Sequence, residues 1–282
     1  SFACAIPGIM ATRTIQDPRD RIATILVAPL MTCSARLPIY ALLIGAFIPA
    51  KTVWGLFNQQ GLVLFALYVF GIVSALAVAY TMKWWRKDKT EHTLLLELPS
   101  YRLPNLNDLA LGLWERANIF IKRVGGIILA LTVILWALSS FPAPPVDAIG
   151  PAIDYSLAGR IGHWMEPVFA PIGFNWQICI ALIPGLAARE VAVSALATVY
   201  ALSAASDELA SDLLSPIIAA QWGLPTALSL LAWYVFAPQC LSTLATIRRE
   251  ASWRITAIAT GYLFALAYLA SFLTYQIAKA FA

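Results

Sequence analysis

The sequence predicts an all-α polytopic membrane protein with two inverted repeats, each a hairpin followed by a broken helix, and additional spanning helices. Three observations predict it. Of 282 residues, 60% are hydrophobic and 12% charged, a balance that no soluble core of this length shields from water. Apolar runs recur at the roughly 20-residue length that carries a helix across a hydrocarbon core. A helix-breaking pattern is also duplicated: Ile6-Pro7-Gly8-Ile9-Met10-Ala11-Thr12-Arg13 nearly repeats as Ile183-Pro184-Gly185-Leu186-Ala187-Ala188-Arg189. Each copy is followed by an Ala-Pro break carrying a cysteine, Ala28-Pro29 with Cys33 and Ala237-Pro238 with Cys240. Interrupted hydrophobic segments in matching positions of two halves point to a binding site near the bilayer midplane.

The first region, 1–82, is expected to hold an incomplete hairpin (1–20), a broken helix over 22–48 and a helix over 60–82. Residues 83–118 form a cytoplasmic connector, in which 106–124 places Leu106, Leu109, Leu113, Ala117, Phe120 and Val124 on one face of an amphipathic, interfacial helix. A transmembrane helix follows at 119–141, then an external loop at 142–174 whose stiff start is Phe141-Pro142-Ala143-Pro144-Pro145. The second region, 175–250, comprises a re-entrant hairpin turning near Pro184-Gly185 and a broken helix over 225–247, and 251–282 is the last transmembrane helix. The hairpin rests on charge. Lys83-Trp84-Trp85-Arg86-Lys87 and the stretch Arg13 to Arg21 belong on the cytoplasmic side. A full crossing by 175–203 would bring Asp207, Glu208 and Asp212 inside and put Arg248-Arg249 outside, against that bias. A hairpin tip at membrane depth must be covered by protein or line a wet cavity. Because the chain enters its first Pro-Gly motif without a charged leader, it is expected to be part of a longer polypeptide with the other hairpin arm ahead of Ser1.

Net charge is +4, and the basic residues cluster beside apolar runs, where topology explains them, so nucleic acid is excluded as a partner. Four cysteines, none in a CxxC spacing, argue against a disulfide framework. A proline within a helix frees the carbonyl four residues earlier, so Pro29 and Pro238 leave backbone oxygens seeking partners inside the bilayer. A dehydrated cation is one such partner, with Cys33, Cys240 and Cys4 supplying sulfur, and thiols favour softer metals such as Fe(II). Met10, Met31, Ser34 and Glu190 are weaker candidates, and Cys179 is assigned to packing. Arg36, Arg189 and Glu190 are charges embedded in apolar sequence, each costing on the order of 3 kcal/mol at a helix centre. Arg36 is expected to clamp freed carbonyls at its own break, and Glu190 to attract a cation or carry a proton. A salt bridge fixing the hairpin is the competing reading. His163, beside Trp164-Met165-Glu166, is an interfacial anchor or a first contact for an incoming metal. Hydrolase, metalloprotease and nucleotide-binding motifs are lacking, so the chain is expected to be a transporter without enzymatic activity of its own.

The stretch Cys4-Ala5-Ile6-Pro7-Gly8-Ile9-Met10-Ala11-Thr12-Arg13 together with Ala28-Pro29-Leu30-Met31-Thr32-Cys33-Ser34-Ala35-Arg36-Leu37-Pro38-Ile39-Tyr40 resembles the ferrous iron transporter B family, FeoB. Glu97-Leu98-Pro99-Ser100-Tyr101-Arg102-Leu103-Pro104, Ala187-Ala188-Arg189-Glu190 and Cys240-Leu241-Ser242-Thr243 with Arg248-Arg249-Glu250 extend the resemblance to about residue 254. The resemblance implies a multi-pass Fe(II) importer of the bacterial inner membrane, with paired gate regions. It implies that Cys4, Cys33 and Cys240 match gate cysteines along the transport path, and that GTP and Mg(II) act only through a G-protein domain outside this chain. Its implied partners are ferrous iron, the lipid bilayer and small cytoplasmic Feo-system proteins, with a homo-oligomer as a further expectation. A departure is arginine at Arg189, where lysine is common. A cation-coupled carrier of nucleosides or another small solute and a non-transporting membrane scaffold are the alternatives.

Overall fold

The computed structural model describes residues 4–53, 57–86, 105–142, 155–187, 189–200, 207–238 and 240–281. The described helices are α1 (Ala5–Ala11), α2 (Pro18–Val27), α3 (Leu37–Phe47), α4 (Gln59–Arg86), α5 (Leu106–Ser140) and α6 (Leu157–Phe169), followed by α7 (Trp176–Ala187), α8 (Ala192–Val199), α9 (Asp207–Gln221), α10 (Leu224–Phe236), α11 (Leu241–Glu250) and α12 (Trp253–Phe281). Besides these, Thr52–Val53 and Phe57–Asn58 pair as a minimal antiparallel ladder before α4. The protein is thus an all-α, multi-pass membrane chain. Among the described residues, four stretches are long and apolar enough to cross a bilayer, Pro18–Phe47, Gln59–Trp84, Leu224–Glu250 and Trp253–Phe281, and the bent pair Leu157–Ile172 with Trp176–Leu186 would make a fifth if it is one span.

Local sequence explains where helices begin. Asp17 accepts a hydrogen bond from the Arg19 amide at 2.8 Å with Pro18 in the first turn of α2, Asn105 accepts from Asn107 at the start of α5, and Ser156 accepts from Gly159 at the start of α6. The amphipathic segment runs into the transmembrane segment that follows it as one uninterrupted α5 of 35 residues, about 52 Å long and so well beyond a hydrocarbon core. In two places the chain departs from the sequence expectation. The segment expected as an external loop contains α6, whose Ala158, Gly159, Gly162 and Phe169 face is buried. Its polar residues and glycines mask a helix that is apolar on one side only. Pro184-Gly185 lies inside α7 rather than at a turn, and the chain reverses instead through the 3₁₀ turn Arg189–Val191 into α8, which packs on α7. The motif Glu97 to Pro104 and the stretch Ala143-Pro144-Pro145 fall outside the described residues.

Between α6 and α7 the axis bends by 101°. Gly173 makes the corner with φ +81, where a Cβ would stand 2.2 Å from the Tyr275 ring, so both backbone and space demand glycine. The core lies where α10 packs along α12 and against α3, with α7, α8 and α9 on the other side. Trp233 is its centre, met edge-on by Phe169, Phe174 and Phe264 at 5.5, 5.8 and 5.7 Å. Ser229 and Ser271 exchange reciprocal side-chain-to-carbonyl bonds at 3.1 and 3.0 Å between α10 and α12, the kind of small-residue polar contact that joins helices in lipid. By contrast, Phe65, Phe70, Leu76 and Tyr80 on α4 are exposed, as a lipid-facing surface requires.

Candidate functional site

Each of two spans is broken. After α2 the chain tightens into a 3₁₀ turn at Ala28–Leu30, runs extended through Met31 and Cys33, and turns again at Ser34–Arg36 before α3. After α10, whose last carbonyls precede Ala237-Pro238, it restarts at Cys240 as α11. The two units bear arginine-carrying turns that meet: Ser34–Arg36 packs against Arg189–Val191.

Arg189 is 2% exposed, and its guanidinium spans the second break. Its Nη1 donates to the Tyr234 carbonyl at 3.0 Å, and its Nη2 donates to the carbonyls of Ala237 and Pro238 at 2.5 and 2.8 Å. Tyr234 lies four residues before Pro238, so the carbonyl freed by that proline is the one Arg189 takes. A cation at a helix C-terminus is also favoured by the helix dipole. Arg36, 0% exposed, reaches the Pro29 carbonyl of its own break at 3.4 Å. A guanidinium therefore lies against backbone carbonyls at each break. Arg36, Cys33, Tyr40 and Tyr234 all lie within electrostatic reach of Arg189. Beside Arg189, a cavity of about 10 Å³ touches Gly185, Tyr234, Ala237 and Pro238, the room of about one water.

The thiols occupy a recurrent position that sequence spacing did not reveal. Cys4 is the N-cap of α1, Cys33 of the turn leading into α3, and Cys240 of α11, and none makes a side-chain cap hydrogen bond. Serine, threonine, aspartate and asparagine are the residues that stabilise such positions, and sulfur is a weak acceptor. Cys33 is buried, Cys4 and Cys240 are half-buried, and Cys240 Sγ lies 3.4 Å from Thr243 Oγ1. Cys179 is buried within α7 in the apolar core.

Helices α1 and α11 pack together. Arg13, just past α1, donates to Glu250 at the end of α11 through Nε at 2.8 Å and Nη2 at 2.5 Å, so the two helices run the same way and Cys4 and Cys240 begin them at a common end. Arg21 donates to the same carboxylate and to the Glu250 carbonyl, both at 3.0 Å. Hydrogen bonding to Glu250, then its charge, holds the Arg13 guanidinium above its ordinary range. In the sequence Glu250 stood only as the end of the Arg248-Arg249-Glu250 match, with no role assigned to it.

Of the weaker candidates, Met10 is exposed on α1, Met31 packs beside the core, and Ser34 is exposed at the first break. The Glu190 backbone belongs to the Arg189–Val191 turn, while its side chain is outside the described residues. His163 stacks on Trp176 at 4.8 Å with Nδ1 3.7 Å from Glu166. Among the described residues, no three of His, Cys, Asp or Glu gather as a ready metal site.

Fold and site define a polytopic α-helical membrane protein whose spans break around a buried, arginine-stitched centre. A family model named Gate and described as nucleoside recognition matches residues 1–47 and 121–254, and the model of the ferrous iron transport protein B C terminus matches 64–116. A protein named Fe(2+) transporter FeoB from Leptospira interrogans serogroup Icterohaemorrhagiae serovar copenhageni is 37% identical, covering 100% of this chain and 42% of the relative. Relatives of the same name from Methanocaldococcus jannaschii and Staphylococcus aureus (strain COL) are 36% and 34% identical, covering 95% and 99% of the chain and 39% and 40% of their own lengths. The chain belongs to the FeoB family, as part of its C-terminal membrane region, and spans about two fifths of the curated relatives it matches. No solved structure matches it.

Proposed function

We propose that this chain forms the permeation unit of a ferrous iron transporter in the bacterial inner membrane, with Cys4, Cys33 and Cys240 exchanging the metal along a thiol path. The observation that carries the reading is the placement of Cys4 and Cys240 at the N-caps of α1 and α11 and of Cys33 at the start of the 3₁₀ turn within the first break, positions where sulfur is a poor structural choice. The names of the relatives support Fe(II) as cargo. Residues 1–82 and 175–250 would act as two gate regions of opposite orientation, with 83–118 as connector, 119–141 a span, 142–174 outside and 251–282 the last span. Bonds from Arg13 and Arg21 to Glu250 support the hairpin topology, because they bring both basic stretches to one end. Met10, Met31, Ser34 and Glu190 would supply transient contacts. GTP-dependent regulation would come from a domain outside this chain. A relative from Porphyromonas gingivalis named a fusion of Fe(2+) transport protein A with FeoB supports small Feo-system partners.

The test is anaerobic uptake of labelled Fe(II) into liposomes carrying the full-length protein. Serine is the better cap, so Cys33→Ser and Cys240→Ser are expected to keep the wild-type melting temperature while uptake falls at least tenfold. Undiminished uptake in both rejects the thiol path. The nucleoside description of the Gate match favours one second reading, a nucleoside carrier. Labelled uridine accumulating in the same liposomes, with iron excluded, would select it.

A further inference from the structure

Around the first break, Thr32, Arg36 and Tyr40 carry buried polar atoms without hydrogen-bond partners, more than gather anywhere else among the described residues. Arg36 is fully buried, yet its Nε and Nη1 have no hydrogen-bond partner, and its bond to Pro29 is long at 3.4 Å. Tyr40, one helical turn along and fully buried beside Arg36, has a hydroxyl that makes no well-formed hydrogen bond, and neither does that of buried Thr32, four residues before Arg36. Buried polar groups in native structures are nearly always satisfied, so three in one short stretch call for a ligand. Helix α4 closes one side: a Cβ on Gly71 would meet Thr32 Oγ1 at 2.5 Å, and Tyr68, one turn earlier, lies within electrostatic reach of Arg36 and Cys33.

Charge identifies the ligand. Arg189 approaches from the neighbouring turn, adding a second buried guanidinium, and among the described residues no carboxylate pairs with either arginine. Their situations differ. Arg189 sits on the C-terminal carbonyls of α10, where the dipole opposes its charge, whereas Arg36 is the N-cap of α3, where the dipole has the same sign as its own charge. Water would satisfy donors but cancel no charge, and a metal cation would be repelled. A small anion does both tasks, binding at a helix N-terminus beside a cation.

We propose that the first break holds a monovalent inorganic anion of chloride size, bound by Arg36 with the Tyr40 and Thr32 hydroxyls. It neutralises one of the two arginines and lowers the barrier that the pair sets against any cation crossing between the breaks. The site goes beyond the iron reading and stands whatever the cargo is.

The experiment is a chloride titration of the full-length protein in detergent without iron, followed by ³⁵Cl line broadening. Wild type is expected to show saturable broadening that bromide displaces, and a higher melting temperature in chloride than in gluconate. Arg36→Met is expected to abolish the saturable component, Tyr40→Phe and Thr32→Val to weaken affinity about fivefold each, and Arg13→Gln to leave it unchanged. Should Arg36→Met fail to fold, the two hydroxyl variants decide. Broadening that does not saturate in wild type, or that is identical in Tyr40→Phe and Thr32→Val, overturns the site. Since neither readout involves iron or transport, failure here leaves the transport reading intact, and loss of iron transport would leave this site intact.

Discussion

Arg189 is the side chain on which the second break depends. One guanidinium serves three carbonyls, of Tyr234, Ala237 and Pro238, and removing it strands more acceptors than the single water-sized cavity beside them could serve. Each stranded group costs about 1–3 kcal/mol, so Arg189→Met is expected to lower the melting temperature steeply. Arg189→Lys keeps the charge but loses the planar fork, and should melt between the two. Scanning fluorimetry of the three proteins checks the order, and an Arg189→Met protein that melts with wild type removes the clamp from the account. Part of this geometry was legible beforehand. Pro238 marks Tyr234 as the residue whose carbonyl is released, and an arginine embedded in apolar sequence announces a buried partner. The pairing itself joins residues 45 to 49 apart, and no local pattern encodes which break an arginine will serve.

Helix elements were legible in proportion to how far lipid or core decided their composition. The breaks after α2 and α10 follow from proline, and α4 and α12 from unbroken apolar length. Helix α6 was hidden because Arg160, His163 and Glu166 share its sequence with a buried face of small residues, and because Ser156 caps it from just outside the apolar run. The joining of α1 and α2 to α11 was hidden too, since its polar part rests on Glu250 and its apolar part on Ile9, Ile25 and Ile247, which are far apart in sequence. That carboxylate is 5% exposed and binds two arginines, of which Arg13 is 63% exposed. The Arg13 guanidinium is solvent-screened and a glutamine amide in place of the carboxylate still accepts from both arginines, so the expected effect of Glu250→Gln is local: faster amide exchange in α1 and in the last turn of α11, with the global melt nearly unchanged. Hydrogen-exchange mass spectrometry reads this directly. Unaltered exchange in both helices would mean that apolar packing of Ile9 and Ile247 suffices to hold them.

At the scale of the whole molecule, the Glu250 contacts constrain how the chain is threaded through the bilayer. Arg13 and Arg21 meet the end of α11, so the turn before α2 and the junction between α11 and α12 lie on one side. The stretch Leu224–Glu250 is long enough to cross, which sends the junction between α9 and α10 to the other side. With Lys83 at the far end of α4, and α2 and α3 making one crossing before it, the positive-inside bias assigns the shared side to the cytoplasm. Single cysteines placed at Gln16, Gln221 and Ser252 in a background lacking reactive thiols turn this into a labelling experiment. An impermeant maleimide applied to inverted vesicles is expected to modify Gln16→Cys and Ser252→Cys but not Gln221→Cys, and the pattern should reverse in spheroplasts. Modification of Gln221→Cys and Ser252→Cys from the same side would mean that α10 and α11 fold back rather than cross. The two breaks would then not face each other at one depth, and the thiols of Cys33 and Cys240 would have no common path to line.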